Sequence, residues 1–557
     1  MERRFFLALL LTGIVLLAPA VLFPPPPRPT TPVVPAVGDT GAVMPSVVPV
    51  PGALTTPTND GRTARRTGET AGPSVAPVRP ETVVVGGERA TYRFSSVGAV
   101  PLSVELTGYR ALNGDRGEVV VRDRALPLLS YTMVTGADTV RWAGAPFTSS
   151  TSGSLADPSV RFVARDGSGT TVRYVRTADE YLTDVRVTVP GASGRSYLLV
   201  GLPSGFVSHE ADSVEDSRYL SYAAKPVPRS AKGVAFSSLD PGERELVAGP
   251  LSWAVAKNKY FLVGLLSPSD STPFSELQAV GGPRESRMAT RGTGTVVMPL
   301  VDGEARFTLY IGPQSWERMR GIGREFETAN PYGGWFQGMV QPFSIIVMKL
   351  MLWLKRVVQL DYGWVLVIFG LGIRILLWPL NQSAMRSSIR MQRLQPEIMA
   401  VQAQYKSDPQ RLQQEMMKVY QSHGMSPLAP LAGCIPMLIP MPVFFALFFV
   451  FQNTIEFRDV PFLWLGDISL KDPLYILPIV TGLSMYLMSW IGMRNMPPNP
   501  QAKILLYLMP AMFTVFLLNT ASGLSIYYLV QQIAAIPQQW LIANERQKAQ
   551  VVPAKAK

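Results

Sequence analysis

Hydrophobic and polar positions divide the chain into an apolar leader, a long stretch alternating with period two, and a final third built from long apolar runs. Residues 24 to 330 read as a soluble protein, whereas 340 to 541 carry repeated apolar segments. From Glu81 to about Pro313 the short alternating runs are Ala90–Val97, Pro101–Leu106, Gly117–Arg122, Thr171–Val175, Val185–Val189, Tyr197–Gly201, Trp253–Leu262 and Phe307–Ile311. Successive side chains in a strand point to opposite faces, so this period marks half-buried strands. Gly191-Ala192-Ser193-Gly194 and Asp240-Pro241-Gly242 supply turns. With no helical stretch between the runs, the pattern predicts an antiparallel β-sandwich over 81–330. It holds no evident nucleophile or carboxylate pair, and Asp179 and Glu180 read as a solvated face.

The flanking segments read differently. Arg3 and Arg4 precede an uncharged stretch, Phe5 to Phe23. At ~1.5 Å rise per residue it nearly covers a ~30 Å hydrocarbon core. Residues 1–23 therefore form either an anchor or, with Ala18-Pro19-Ala20 as a loose cleavage site, a signal peptide. Residues 24–80, with Pro24 to Pro27 in a row, are a Pro-rich linker too poor in large apolar residues to fold. Residues 335–358 mix Phe336, Val340, Phe343, Ile346, Met351 and Trp353 with Gln337, Gln341, Lys349, Lys355 and Arg356, the pattern of an amphipathic interfacial helix. Spans are predicted at 363–381, 429–452, 473–491, 503–519 and 522–541, the last two separated by the polar turn Asn519-Thr520-Ala521-Ser522-Gly523. With 1–23 as anchor the chain is a polytopic α-helical membrane protein of six spans.

Charge tests that count. The net +12 includes no basic cluster with interleaved aromatics, so specific nucleic-acid recognition is not indicated. In a membrane protein, Lys and Arg instead mark the cytoplasmic side. Four segments fall on one side by strict alternation, and all four are basic. They are the N-terminus, the loop holding Arg386, Arg390, Arg393, Lys406, Arg411 and Lys418, the loop with Arg494 and Lys503, and the tail at 546–557. The opposite loop, Thr454 to Asp472, holds Glu456, Asp459, Asp467 and Asp472 against Arg458 and Lys471. Both termini are thus expected in the cytoplasm and the β-domain outside. Residues 383–424 read as a cytoplasmic helical hairpin, with Ser407-Asp408-Pro409 opening the second arm and Gly424 ending it. Cys434 is the single cysteine, so no intramolecular disulfide forms, and His209 and His423 lack partners at ligand spacing.

One ionisable residue lies inside a predicted span: Arg374. Placing arginine there costs ~2.5–3.5 kcal/mol on insertion scales, so it should face protein or trapped water, or else snorkel toward the cytoplasmic headgroups. No acid lies in the apolar core of any span to neutralise it. A structural ion pair would have left a partner, whereas a site that receives acids from a passing substrate need not. Ser525, Tyr528 and Gln532 share a helical face on the last span, where they either join that cavity or bond neighbouring helices. Met437, Met441, Met485, Met488, Met509 and Met512 suit an adaptable apolar surface or ordinary gap-filling.

Several ordered motifs add a resemblance. They are Gly363-Trp364 with the span through Trp378-Pro379-Leu380, Met391 to Pro396, Gln414-Glu415-Met416-Met417, Gly433-Cys434-Ile435-Pro436 and Met441-Pro442-Val443-Phe444. Ser522-Gly523-Leu524, Tyr527-Tyr528 and Gln538-Gln539 follow, and Trp253-Ala254-Val255, Lys259-Tyr260-Phe261 and Tyr310-Ile311-Gly312-Pro313 lie in the β-region. Together these resemble the YidC/Oxa/Alb family of membrane protein insertases, bacterial YidC type, closely over 330–545 and loosely over the β-region.

The resemblance implies an insertase and chaperone of the bacterial inner membrane, not an enzyme, with a five-helix core over 363–545 and a periplasmic β-supersandwich. It implies a hydrophilic groove open to cytoplasm and lipid, lined by Arg374, Gly370, Tyr528, Ser525 and Gln532, with Met437, Phe444 and Met485 as apolar substrate contacts. Implied partners are nascent membrane proteins, the Sec translocon, the lipid bilayer, and the ribosome through hairpin and basic tail. Pro440 departs from the family, where related sequences often carry a polar residue, and the resemblance assigns the linker no role. No P-loop is present, so insertion is expected to run on apolar partitioning without a cofactor. The competing reading is an anion-recognising membrane transporter using Arg374; it predicts internal repeats, and none is evident in the sequence.

Overall fold

A computed structural model describes residues 80–115, 117–136, 138–153, 158–192, 195–268, 273–284, 289–330, 337–405, 408–423, 441–493 and 500–551. The expected anchor at 1–23, the linker up to residue 79, Gly424, Cys434, Met437, Pro440 and residues 552–557 lie outside these ranges.

Between Thr82 and Pro313 the chain forms two antiparallel sheets, one of four strands and one of 14. Their inner faces share one buried cluster, with Phe94 of the small sheet packed 4.7 Å from Tyr174 of the large one. The antiparallel β architecture thus matches expectation, but one predicted strand is two. Trp253–Leu262 spans the end of Arg244–Lys257 and the start of Phe261–Leu266. The Asn258 side chain turns the chain by accepting the backbone N–H of Tyr260 and Phe261 at 3.1 and 2.8 Å, alongside the backbone bond from its own N–H to the Phe261 carbonyl at 3.0 Å. Both strands are buried on both faces here, so no alternation marked the reversal.

A short helix, α1 (Ser213–Ser217), interrupts the strand region expected to be free of helix, and a second, α2 (Trp316–Ile322), follows the last strand. Asp179 and Glu180 are also not a merely solvated face. Asp179 receives Arg318 through both oxygens at 2.7 and 2.8 Å. Glu180 accepts the backbone N–H groups of Glu88, Arg89 and Ala90 at 2.6 to 3.0 Å.

Among the described residues eight longer or linking helices follow: α3 (Gln337–Val358), α4 (Tyr362–Arg393), α5 (Gln395–Gln404), α6 (Pro409–Ser422), α7 (Met441–Asn453), α8 (Ile476–Met493), α9 (Pro500–Leu517) and α10 (Ser522–Val551). Helix α4 passes through Pro379 and runs unbroken beyond the expected boundary at 381–383. A proline removes one intrahelical donor, a loss that the rest of a 32-residue helix outweighs. Asp408 caps α6, accepting the N–H of Gln410 and Arg411 at 3.2 and 3.1 Å. Among the described residues one helical window, Tyr362–Pro379, is long and apolar enough to cross a membrane, with shorter apolar stretches at Pro442–Gln452, Ile476–Ile491 and Leu506–Leu517.

The helical core gathers at one level. Val365, Leu366 and Phe369 of α4, Leu447 and Phe451 of α7, and Leu524 and Tyr527 of α10 bury together with Phe457, Phe462 and Ile468 of the loop 454–472. That loop closes the end of the helical unit. Gly523 donates to the Ile468 carbonyl at 2.9 Å and Ser522 to that of Leu470 at 2.7 Å, satisfying the free amides at the start of α10. Gly363 leaves room for the Phe462 ring, which a Cβ there would strike.

The loop is fastened equally to the β-domain. Arg458 Nε donates to both carboxylate oxygens of Glu210 at 3.0 and 2.9 Å, and Arg458 Nη2 to the Arg110 carbonyl at 2.8 Å. Glu456 accepts the Ser315 hydroxyl and the Trp316 amide at 3.0 and 3.2 Å, so the start of α2 is held by the loop.

Candidate functional site

Arg374 sits one turn beyond Phe369, just past the buried aromatic level, on the seam between α4 and α10. The close approach of the two helices depends on Gly370, whose position leaves 3.0 Å between a built Cβ and Val530. Gln531 spans the same seam, its Nε2 donating to the Gly370 carbonyl at 2.6 Å. Below it, Arg374 Nη2 donates to Gln538 Oε1 at 2.7 Å, and Gln538 Nε2 donates to Gln382 Oε1 at 3.2 Å. The guanidinium is thus held by a relay of neutral amides. Among the described residues it has no acidic partner, and its Nε is buried without an acceptor. A buried cation with neutral partners keeps its full charge, which is what recognition of an anion requires.

The other expected groove residues divide between two places. Tyr528 stacks against Phe513 at 4.4 Å and meets Phe444 edge-on at 5.7 Å, joining α10 to α7 and α9, and its hydroxyl meets Gln532. Phe444 is buried in this aromatic cluster, with Phe516 at 6.1 Å. Ser525 is fully buried with its hydroxyl unpartnered among the described residues. Met485 is half-buried on α8. Arg374 and Gly370 therefore share one seam, Tyr528, Gln532 and Phe444 share an adjoining aromatic layer, and Met437 is not described.

Sequence reasoning missed Gln531, Gln538 and Gln382 as companions of Arg374. The signal was available: Gln531 and Gln538 are seven residues apart, two helical turns on one face of an apolar helix. Around Arg374, α4 turns large apolar side chains outward: Leu371 is 43% exposed, Ile375 73% and Leu376 70%. The seam therefore lies beside a surface that water would not wet.

Comparison with known proteins bears on both halves. The YidC periplasmic domain family matches residues 83–346, and the 60Kd inner membrane protein family matches residues 353–550. The membrane protein insertase YidC of Anaeromyxobacter sp. (strain Fw109-5) is 32% identical over 413 residues, 72% of this chain and 71% of that one. Its counterpart from Anaeromyxobacter dehalogenans (strain 2CP-C) is 30% identical over 508 residues, 86% of this chain and 87% of that one. Among solved structures, an active YidC insertase with its first transmembrane domain resolved aligns with 83% of this chain and 93% of its own, at 19% identity and a TM-score of 0.33.

Proposed function

The chain belongs to the YidC family of membrane protein insertases, and we propose that it inserts its substrates by drawing their acidic flanks to Arg374 on the α4–α10 seam. It is an insertase, not an enzyme, of the inner membrane with a periplasmic β-domain. The observation that carries the mechanism is the state of Arg374: half-buried, held at 2.7 Å by one neutral amide, and short of one acceptor.

The steps follow from that geometry. An acidic residue in the flank of a nascent chain offers the guanidinium a charge-assisted bond stronger than the one from Gln538. The amides of Gln531, Gln538 and Gln382 keep the polar flank solvated while it crosses. The adjoining apolar segment then leaves past Leu371, Ile375 and Leu376 into lipid, driven by burial of apolar surface at ~25 cal/mol per Å². Tyr528, Gln532, Ser525, Phe444, Met437 and Met485 are assigned to the wall that the segment meets. The aromatic level around Phe369, Phe451 and Tyr527 seals the periplasmic end.

In this reading the chain has six spans, with both termini and the hairpin 383–424 in the cytoplasm. The attachment of the loop 454–472 to the β-domain supports placing both on the outer side. The hairpin and the basic tail are assigned to the ribosome, and the Sec translocon is assigned as a donor of substrates.

Photoreactive probes at Leu371, Met437 and Tyr528, with a ribosome-bound nascent membrane protein, test the assignment. Adducts at Leu371 and Tyr528 that form only while an apolar segment emerges are expected. No adduct at any of the three positions, with dependent substrates still inserting, would return Arg374 to the anion-transporter reading.

A further inference from the structure

We propose that the seam between α2 and α3 is a binding site for the headgroup of an anionic phospholipid in the outer leaflet. The two helices border an open cavity of about 410 Å³ that gathers Arg320, Lys349 and Arg356 around one acid, Glu317. Arg320 lies 5.0 Å over the Trp316 ring, which fixes its guanidinium at the cavity wall. Arg356 pairs with Glu317. Lys349 has no ion-pair partner among the described residues, and the cavity keeps an excess of two positive charges, three cations against one anion.

The chemistry of the surroundings selects a lipid over a free anion. Lys349, Trp353 and Arg356 follow one another at four and three residues, so they share a face of α3. On that helix Trp353 is 57% exposed, Ile346 61% and Val357 60%, a density of bare apolar side chains that only an acyl environment covers. A phosphate held between Arg320 and Lys349 would leave its acyl chains to run down over Trp353. A zwitterionic headgroup brings its own cation into a cavity already carrying excess positive charge, so an anionic headgroup is preferred. Bound there, the lipid bridges the last helix of the β-domain and the interfacial helix, anchoring the domain at the membrane surface. The proposal rests on the interfacial placement of α3.

The test uses the full chain reconstituted into phosphatidylcholine vesicles with and without phosphatidylglycerol. Lipid retained after detergent extraction is counted by mass spectrometry. Wild type is expected to retain phosphatidylglycerol selectively. The variant R320Q/K349Q, altered at exposed positions, is expected to lose about fivefold in affinity for each cation removed. E317Q, which frees Arg356, is expected to strengthen retention, and R161Q/R173Q on the β-domain to leave it unchanged. Equal retention by R320Q/K349Q and wild type, or equal loss in R161Q/R173Q, overturns the proposal. Displacement by soluble glycerol phosphate would assign the cavity to a free phosphate and overturn it equally. Quenching of Trp353 by brominated phosphatidylcholine reads the placement of α3 separately; its absence would remove the premise whatever lipid is retained.

Discussion

Replacing Arg458 by methionine tests what joins the β-domain to the helical unit. The side chains of Arg458 and Glu210 are 2% and 5% exposed, and the ion pair between them closes at 2.9 Å. Burial pushes the Glu210 carboxyl up to about 7 even with the Arg458 guanidinium beside it. An attraction of about 4 kcal/mol is reasonable for such charges at an effective dielectric of about 20. Breaking a buried pair from one side costs about 3–5 kcal/mol, because the survivor stays desolvated. Arg458→Met should therefore weaken docking of the loop 454–472 by that amount. Arg458→Met combined with Glu210→Leu should recover most of it, leaving the lost bond to the Arg110 carbonyl. The readout is hydrogen exchange of the Ile468 amide, which is bonded to the Val460 carbonyl within the docked loop. Loss of protection below about 1 kcal/mol in the single variant would refute the reasoning. So would single-variant losses that add to within about 0.5 kcal/mol in the double variant.

Three further outcomes are expected. Gln538→Leu should destabilise by about 1.5–3 kcal/mol by removing an amide bonded to a charged group, whereas Gln538→Glu should keep stability but abolish Leu371 adducts with acidic-flanked substrates, since it neutralises Arg374 internally; unchanged adducts would remove Arg374 from the mechanism. Lys257 is fully buried against Asn330 at 2.8 Å, and burial brings its ammonium from the ordinary 10.5 down to about 7. Between those two values the unfolded chain binds the extra proton, so stability should rise with pH across that window and stay flat just below it; Lys257→Met should erase the slope, as followed by thermal unfolding, and a slope that persists would refute the assignment. Finally, Arg161, Arg173, Arg186 and Arg306 face one another across four consecutive strands. Arg186→Thr should stabilise the domain by about 0.2–1 kcal/mol, a gain that shrinks with added salt.

What the sequence disclosed depended on how each residue's partner is specified. Alternation revealed strands with one wet face, such as Thr171–Arg176, because burial there repeats every two residues. It failed at Trp253–Leu262, where both faces are buried and only Asn258 marks the turn. The cap at Asp408 was legible because its partners lie two and three residues away. The roles of Asp179 and Glu180 were not, because Arg318 is 139 positions distant and the amides of Glu88 to Ala90 lie 90 to 92 positions away. Arg374 was conspicuous as a charge in an apolar span, yet its amide partner lies 164 positions on.

That neutral partner separates two ways of keeping a cation in a membrane. An aspartate opposite Arg374 would cancel the charge, lower the cost of burial, and leave nothing for a passing acid to bind. A glutamine relay satisfies part of the guanidinium's hydrogen bonding while leaving its charge available, at a cost of roughly 2.5–3.5 kcal/mol set by depth in the bilayer. The packing above the site limits what it does with that charge. Phe369, Phe451 and Tyr527 bury together, and the loop 454–472 caps them through backbone bonds to Ser522 and Gly523. A transporter must open both ends in turn, which would mean breaking this aromatic level and the loop's attachments to Glu210 and Ser315 on every cycle. Sideways movement past Leu371 and Ile375, which are 43% and 73% exposed, breaks none of these contacts.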